Sequence, residues 1–166
     1  MRKFVLLMGL LILLSQASTI PVSFRTPQEI ALREIETYSG QWWGLELRGY
    51  QLTDLPPGVF SLENLSILYL EANQLSRLPP EIGSMVNLEE LYLNGNQLSS
   101  LPPEIGNLTN LRVLHINFNY LDTLPPEIGN FTNLRELYLN NNQLSSLPPE
   151  IGNLTNLREL YLSNNQ

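Results

Sequence analysis

The sequence "LPPEIGNFTNLRELYLNNNQLSS" occupies residues 124–146, and almost the same 23 residues return several times along the chain. Its opening tripeptide, Leu-Pro-Pro, recurs at a constant spacing of 23 residues. The copies begin at Leu55, Leu78, Leu101, Leu124 and Leu147. A constant period of this length indicates a solenoid, in which each unit is one small structural element packed on its neighbours.

The alternation of residues within each unit predicts one short strand. In "LYL" at residues 91–93, Leu91 and Leu93 should point inward and Tyr92 outward. One such strand cannot bury its own apolar face, so neighbouring units must stack in parallel at about 4.8 Å. Pro-Pro lacks amide donors and suits an extended, solvent-facing return before a helical turn over "PEIGNL". One layer of the core should contain Leu88, Leu91, Leu93, Leu98, Leu101, Ile105 and Leu108.

Six segments follow the pattern L-x-x-L-x-L-x-x-N-x-L, and we number them repeats 1 to 6. They begin at residues 42, 65, 88, 111, 134 and 157. Repeat 1 is divergent, and repeat 6 ends at Gln166, one residue before its last leucine. The pattern resembles the leucine-rich-repeat proteins of the 23-residue "LPxxIGxLxxLxxLxLxxNxL" type. The resemblance implies an α/β solenoid, a leucine-rich-repeat horseshoe with a parallel concave β-sheet of six short strands and an extended or 3-10 convex side.

The first residues predict export. Arg2 and Lys3 precede an apolar run over residues 4–14, and Ser15 and Ala17 place small residues before a cleavage point that makes residues 1–17 a signal peptide. The apolar run would reach about 16 Å as a helix, roughly half a bilayer core, so no membrane insertion is expected after cleavage. The predicted location is secreted, extracellular or cell-surface, with the periplasm as the bacterial alternative. An uncleaved anchor or a misassigned start codon is the competing interpretation.

Residues 18–41 are predicted to form an N-terminal cap, with a helix over about residues 27–38, ahead of the leucine-rich repeats at 42–166. Thr26 and Glu29 fit a capping box, and Pro27 suits the first helical position. The helix should cover the start of repeat 1 with apolar side chains. These are Ile30, Leu32, Ile35 and Tyr38, which are expected to lie over Trp42 and Leu45.

Charge and cysteine content exclude several classes of partner. Cleavage after Ala17 would remove two of the nine basic residues and none of the sixteen acidic ones, leaving a net charge of −9. An acidic chain without a basic block argues against nucleic acid and anionic lipid. With no cysteine, the chain has neither disulfides nor thiolate metal ligands. No cofactor is expected.

The outward positions of the strands form the candidate ligand-binding face. Tyrosine offers a large contact area with a polar tip at a low entropic cost, which suits recognition. The alternative is that this aromatic column only stabilises adjacent strands, and the two interpretations are compatible. The predicted ligand-binding residues are Tyr69, Glu90, Tyr92, His115, Glu136, Tyr138 and Tyr161.

A catalytic or metal role for His115 is weighed and not favoured. Glu90 and Glu136 lie one strand away on either side, roughly 8 Å off by strand spacing. A single histidine between two glutamates could be a weak metal site or an acid–base pair, but the favoured interpretation of His115 is one more member of the aromatic column. The chain has no cysteine nucleophile and no G-x-S-x-G turn, so no catalytic and no metal-binding residue is predicted.

A second column consists of asparagines at the end of each strand, where the chain turns inward. A buried side-chain amide there can satisfy backbone groups of its own turn and of the adjacent one. The expected role is structural. The column comprises Asn73, Asn96, Asn119, Asn142 and Asn165.

The leading interpretation is an exported, non-enzymatic module that binds a protein or peptide through its concave face. A second interpretation is a structural surface protein that self-associates end to end, because Leu157, Leu160 and Leu162 would present an uncapped C-terminal edge. A third is the recognition fragment of a larger multidomain protein. All three exclude catalysis by this chain itself.

Overall fold

The alternating segments form the strands of a single sheet. The computed structural model describes residues 26–38 and 43–166. Its strands are parallel and lie side by side in sequence order. They are β1 Gly44–Glu46, β2 Ile67–Tyr69, β3 Glu90–Tyr92, β4 Val113–His115, β5 Glu136–Tyr138 and β6 Glu159–Tyr161. The predicted parallel sheet of six short strands is confirmed.

The constant period fixes the register of this sheet. Each residue pairs with the residue one period later, so Tyr69 lies opposite Tyr92, and Tyr92 lies opposite His115. A slip by one residue would turn every leucine to the outer face, and the uniform register avoids this. Equivalent motif positions therefore form straight columns across the sheet.

The inward columns make the core. Leu91 and Leu93 are fully buried, and the whole predicted layer around them is buried. Phe131, which replaces a leucine, is also fully buried and is the largest such side chain. Burial of this apolar surface drives the stacking of the repeats, because no single strand has a core of its own.

The return segments of repeats 1 to 5 each end in a 3-10 turn. The turns are Pro57–Ser61, Pro80–Ser84, Pro103–Asn107, Pro126–Asn130 and Pro149–Asn153. The proline before each turn is extended, with φ −71° and ψ 147° at Pro102. Successive turns stack closely: a Cβ on Gly106 would lie 2.7 Å from the Cβ of Glu127. Only glycine fits there, and this explains the glycine in "PEIG".

A helix stands before the sheet. Helix α1 spans Pro27–Thr37, and Thr26 and Glu29 form both halves of a capping box. It packs against β1 and the first 3-10 turn, with Ala31 and Ile35 as its buried residues. Of the four apolar residues expected to cover repeat 1, Ile35 is buried and Tyr38 packs partly against the core, while Ile30 and Leu32 are partly buried. The helical spacing of four places Ala31 on the same buried face as Ile35. Trp42 and the predicted signal peptide lie outside the described residues.

The last strand differs from the others in exposure. All three residues of β6 are exposed, and Leu160 is 40% exposed whereas Leu137 beside it in β5 is fully buried. Leu157 and Leu162 pack only partly against the core. Across residues 26–38 and 43–166, no helix combines the length and the apolar character that crossing a bilayer would require.

Candidate functional site

The outward aromatic column forms a continuous ladder on the concave face. Tyr69 stacks on Tyr92 with ring centroids 4.9 Å apart, and Tyr92 meets His115 edge-on at 5.0 Å. His115 stacks on Tyr138 at 4.0 Å, and Tyr138 meets Tyr161 at 4.6 Å with an interplanar angle of 69°. Stacked and edge-on pairs are the favoured arrangements of such rings. The structure therefore brings all five predicted aromatic residues into one surface, which we call the aromatic ladder.

Two glutamates fix hydroxyl groups of the ladder. The Tyr92 hydroxyl donates a hydrogen bond to Glu90 at 2.7 Å, and the Tyr138 hydroxyl donates one to Glu159. Burial, followed by the bond to Glu90, raises the pKa of Tyr92. The bond to Glu159 raises the pKa of Tyr138 to about 12. Both hydroxyls are therefore protonated at neutral pH and held in fixed directions.

His115 lies at the centre of the ladder with one nitrogen unused. Its Nε2 is 3.4 Å from Oε2 of Glu136, within ion-pair distance, but it is buried and makes no hydrogen bond. This separation is shorter than the roughly 8 Å expected from strand spacing, because the two side chains lean across the gap. Within the described parts of the chain, no three histidine or acidic side chains group as potential metal ligands. The contact with Glu136 orients the His115 ring.

An arginine covers the N-terminal end of the ladder. The Arg48 guanidinium lies over the Tyr69 ring, 4.1 Å from its centroid, as a cation–π contact. Its Nε is also 2.9 Å from Glu71 and 3.3 Å from Glu46. Arg48 is not among the ligand-binding residues predicted for this face, since only the side-chain direction reveals the contact. Arg48 therefore covers one face of the Tyr69 ring.

A row of partly buried asparagines borders the ladder. The backbone amide of Asn117 donates to Oδ1 of Asn94 at 2.9 Å, and that of Asn140 donates to Oδ1 of Asn117 at 2.8 Å. The Ser163 amide bonds to Asn140 in the same way. These side chains extend the hydrogen bonding of the sheet beyond its three-residue strands, which makes the concave surface stiff.

The second asparagine column is structural in its contacts. Asn96 accepts a hydrogen bond from the Leu75 amide at 3.1 Å, and its Nδ2 donates to the carbonyls of Leu70 and Leu93 at 2.9 and 3.0 Å. The same bonds recur one period before and after. Asn73, Asn96, Asn119 and Asn142 are buried, and Asn165 is partly exposed. None of the buried four presents its amide to a ligand.

One turn exposes two aromatic side chains that sequence reasoning missed. Phe118 and Tyr120 follow β4 and are 62% and 55% exposed. Phe118 has a φ of 56°, in the left-handed region that bulky residues rarely adopt. The signal was present in the sequence, because the matching position holds Gly49 in repeat 1 and Gly95 in repeat 3.

A parallel solenoid with a buried asparagine in each turn and an open concave sheet belongs to the repeat scaffolds that serve recognition. A family model described as "Leucine-rich repeat region" matches residues 43–123 and 82–166. The chain belongs to the leucine-rich-repeat proteins. Members of this class generally act as non-enzymatic binding modules. No protein of curated function matches the sequence significantly.

Two solved structures illustrate the similarity. The leucine-rich-repeat protein LIC12759 of Leptospira interrogans is 41% identical, with a TM-score of 0.68 over 70% of this chain and 30% of that one. The plant peptide hormone receptor RGFR1, in complex with RGF2, is 38% identical, with a TM-score of 0.67 over 74% of this chain and 20% of the receptor. The chain thus spans less than a third of either structure.

Proposed function

We propose that this chain is a non-catalytic recognition module that binds a protein or peptide through the aromatic ladder. The observation that carries the proposal is the ladder itself, five aromatic rings in contact on an otherwise open face. Tyrosine is enriched among the few residues that dominate the binding energy of protein interfaces, and it offers a large contact area at a low entropic cost. Strand packing alone does not explain the tyrosine at position 161, because this residue is 47% exposed.

The polar groups around the ladder support recognition of a polypeptide. An extended peptide presents amides and carbonyls along its length, and it needs donors and acceptors at regular spacing. The hydroxyls of Tyr92 and Tyr138, held by Glu90 and Glu159, provide such groups.

The similar structures agree with this proposal in general terms. RGFR1 is a peptide hormone receptor that shares 38% identity with this chain. The proposal for this chain extends to a polypeptide ligand and not to a particular hormone. The residues proposed to contact that ligand are the five of the ladder, Tyr69, Tyr92, His115, Tyr138 and Tyr161, together with Glu90 and Glu136.

We also propose that binding takes place outside the cytoplasm, since residues 1–17 carry the charge and hydropathy pattern of an export signal. N-terminal sequencing of the protein purified from its native source should then begin at Ser18. A protein that retains Met1 would contradict cleavage.

The test of the ladder uses linear peptides displayed on phage as a defined probe. Peptides selected on the unmodified chain should bind a Tyr92→Ala, Tyr138→Ala double variant about a hundredfold more weakly, because two aromatic contacts are lost. The matched control changes Thr109 and Thr132 to Ala. These threonines are exposed between the 3-10 turns and the strands, in the same region of the chain.

Circular dichroism and the thermal midpoint accompany each binding measurement, so that unfolding is not mistaken for loss of a contact. Control binding should equal that of the unmodified chain. If the peptides bind the double variant and the unmodified chain with equal affinity, the binding site does not include the ladder.

A further inference from the structure

Repeat 4 departs from the other repeats at two neighbouring turn positions. Phe118 stands where the others have small or polar residues, and Tyr120 stands where they have glutamine. Residues matching Phe118 are Gly49, Ala72, Gly95, Asn141 and Asn164. Those matching Tyr120 are Gln51, Gln74, Gln97, Gln143 and Gln166. Both rings are more than half exposed, so neither substitution is explained by burial in the core.

The backbone at Phe118 is unfavourable for that residue. Its φ of 56° brings the Cβ of an L-residue close to the following carbonyl, a conformation that glycine adopts freely and asparagine tolerates. An aromatic residue here destabilises the turn and gains little by burial. Backbone strain of this kind, kept in place by the surrounding structure, is typical of functional positions.

The turn holds its two aromatic residues rigidly. Every backbone amide from Asn117 to Leu121 donates a hydrogen bond to a neighbouring repeat. The acceptors, in order, are Asn94 Oδ1, Asn140 O, Asn141 O, Leu98 O and Asn142 Oδ1, at 2.9, 2.9, 3.2, 2.9 and 3.1 Å. A ligand would therefore meet a preorganised backbone and would lose little entropy in ordering this turn.

The two motif columns that contain the pair carry no charged residue. At the position of Phe118, repeats 1 to 3 carry at most the methyl group of Ala72, so no larger side chain from that column covers the ring on that side. Tyr120 lies between Gln97 and Gln143, which are both exposed. Because no charged residue occupies these two columns, the pair is suited to an apolar partner group rather than an ionic one.

The pair is also continuous with the aromatic ladder. Phe118 follows His115 by three residues, which is at most about 10 Å along the chain. Asn117 lies between them in the asparagine row that borders the ladder. A polypeptide that contacts His115 can therefore reach the turn with a side chain only a few residues away.

We propose that Phe118 and Tyr120 form an anchor for one aliphatic or aromatic side chain of the polypeptide that lies on the aromatic ladder. This inference rests on the proposed function and adds a specificity determinant outside the sheet. The ladder contacts the extended ligand along its length, and the turn selects ligands that place an apolar residue at one end of that contact.

The experiment restores the residues of the other repeats. The Phe118→Gly, Tyr120→Gln double variant gives repeat 4 the residues of repeat 3 at both positions, and we call it the restored variant. The matched control is Asn141→Gly with Gln143→Ala, the same two positions in repeat 5. Linear peptides displayed on phage are selected on the unmodified chain, and the affinity of each selected peptide is measured on both variants.

Selected peptides should share an apolar residue and should bind the restored variant at least about tenfold more weakly, as expected for the loss of an aromatic anchor. Replacing that apolar residue by alanine should weaken binding to the unmodified chain but not weaken it further on the restored variant. The control should bind normally, and the thermal midpoint of the restored variant should not fall.

Two other results would overturn the anchor. Peptides that lose affinity for the Tyr92→Ala, Tyr138→Ala variant but bind the restored variant normally would leave the proposed function standing and remove Phe118 and Tyr120 from it. Peptides that bind both variants normally, or a selection that enriches no peptide, would overturn the proposed function and the anchor together.

Discussion

The turns that follow β4 and β5 share a framework of asparagine hydrogen bonds and differ in the side chains that they expose. Asn119 and Asn142 each accept a hydrogen bond from an amide of the preceding repeat and donate to its carbonyls. The residues on either side of Asn119 are the exposed Phe118 and Tyr120, whereas those on either side of Asn142 are Asn141 and Gln143. In this solenoid the repeated positions therefore report packing, and the departures from the repeat indicate where specificity is located.

The largest effect should come from breaking the shared framework. Asn119→Ala would leave the Leu98 amide unpaired in a buried site and would remove one of the two hydrogen bonds to the Leu93 carbonyl, so it should lower the free energy of unfolding by roughly 1–3 kcal/mol. Urea unfolding followed by circular dichroism measures it. Asn142→Ala should lower the free energy of unfolding by the same amount within about 1 kcal/mol, because the effect of one substitution varies by that much with its surroundings. A larger difference would mean that the two frameworks are not equivalent.

A smaller and opposite effect is expected at Phe118. Phe118→Gly relieves a left-handed conformation that costs about 1–2 kcal/mol. The greater freedom of glycine in the unfolded chain offsets about 0.5–1 kcal/mol of this. The free energy of unfolding should therefore rise slightly, by up to about 1 kcal/mol. The same urea titration applied to Asn141→Gly should give a change near zero, since asparagine tolerates this backbone. Destabilisation by Phe118→Gly would show that the ring contributes to packing.

The smallest effect should be at Tyr120. Its side chain is 55% exposed, so Tyr120→Gln should change the free energy of unfolding by no more than about 0.5 kcal/mol. The reciprocal change in the next turn, Gln143→Tyr, should be equally neutral. Thermal unfolding of the pair checks this. If only one of these two substitutions were neutral, the exposed positions of the two turns would not be equivalent.

Most of the fold could be predicted because it depends on backbone periodicity. The alternation of Leu91, Tyr92 and Leu93 fixes which side chains point inward, and the constant period carries that choice to every repeat. The parallel sheet, its strand order and its core leucines follow from these two facts. The face of α1 was less certain, because Ala31, a small residue in an apolar run, gave no strong signal in the sequence.

The details of the candidate site depend on side-chain directions, which strand spacing does not determine. The 3.4 Å separation of His115 and Glu136 results from rotamers that bring two side chains across the strand gap. The stacking of Arg48 on Tyr69 is of the same kind. Phe118 is a different case. Gly49 and Gly95 at the same motif position already indicated a left-handed backbone, so an aromatic residue there could have been recognised as an exception.

The buried asparagines give the solenoid a direction. Asn73 bonds to Leu47 and Leu52, and Asn96 bonds to Leu70 and Leu75, so each side chain reaches back to the repeat before its own. The turn of one repeat is complete only after the asparagine of the next has docked on it. Ribosomal synthesis delivers the repeats in this same order. Each repeat that emerges thus closes the one already formed, and the chain can build its core progressively during translation.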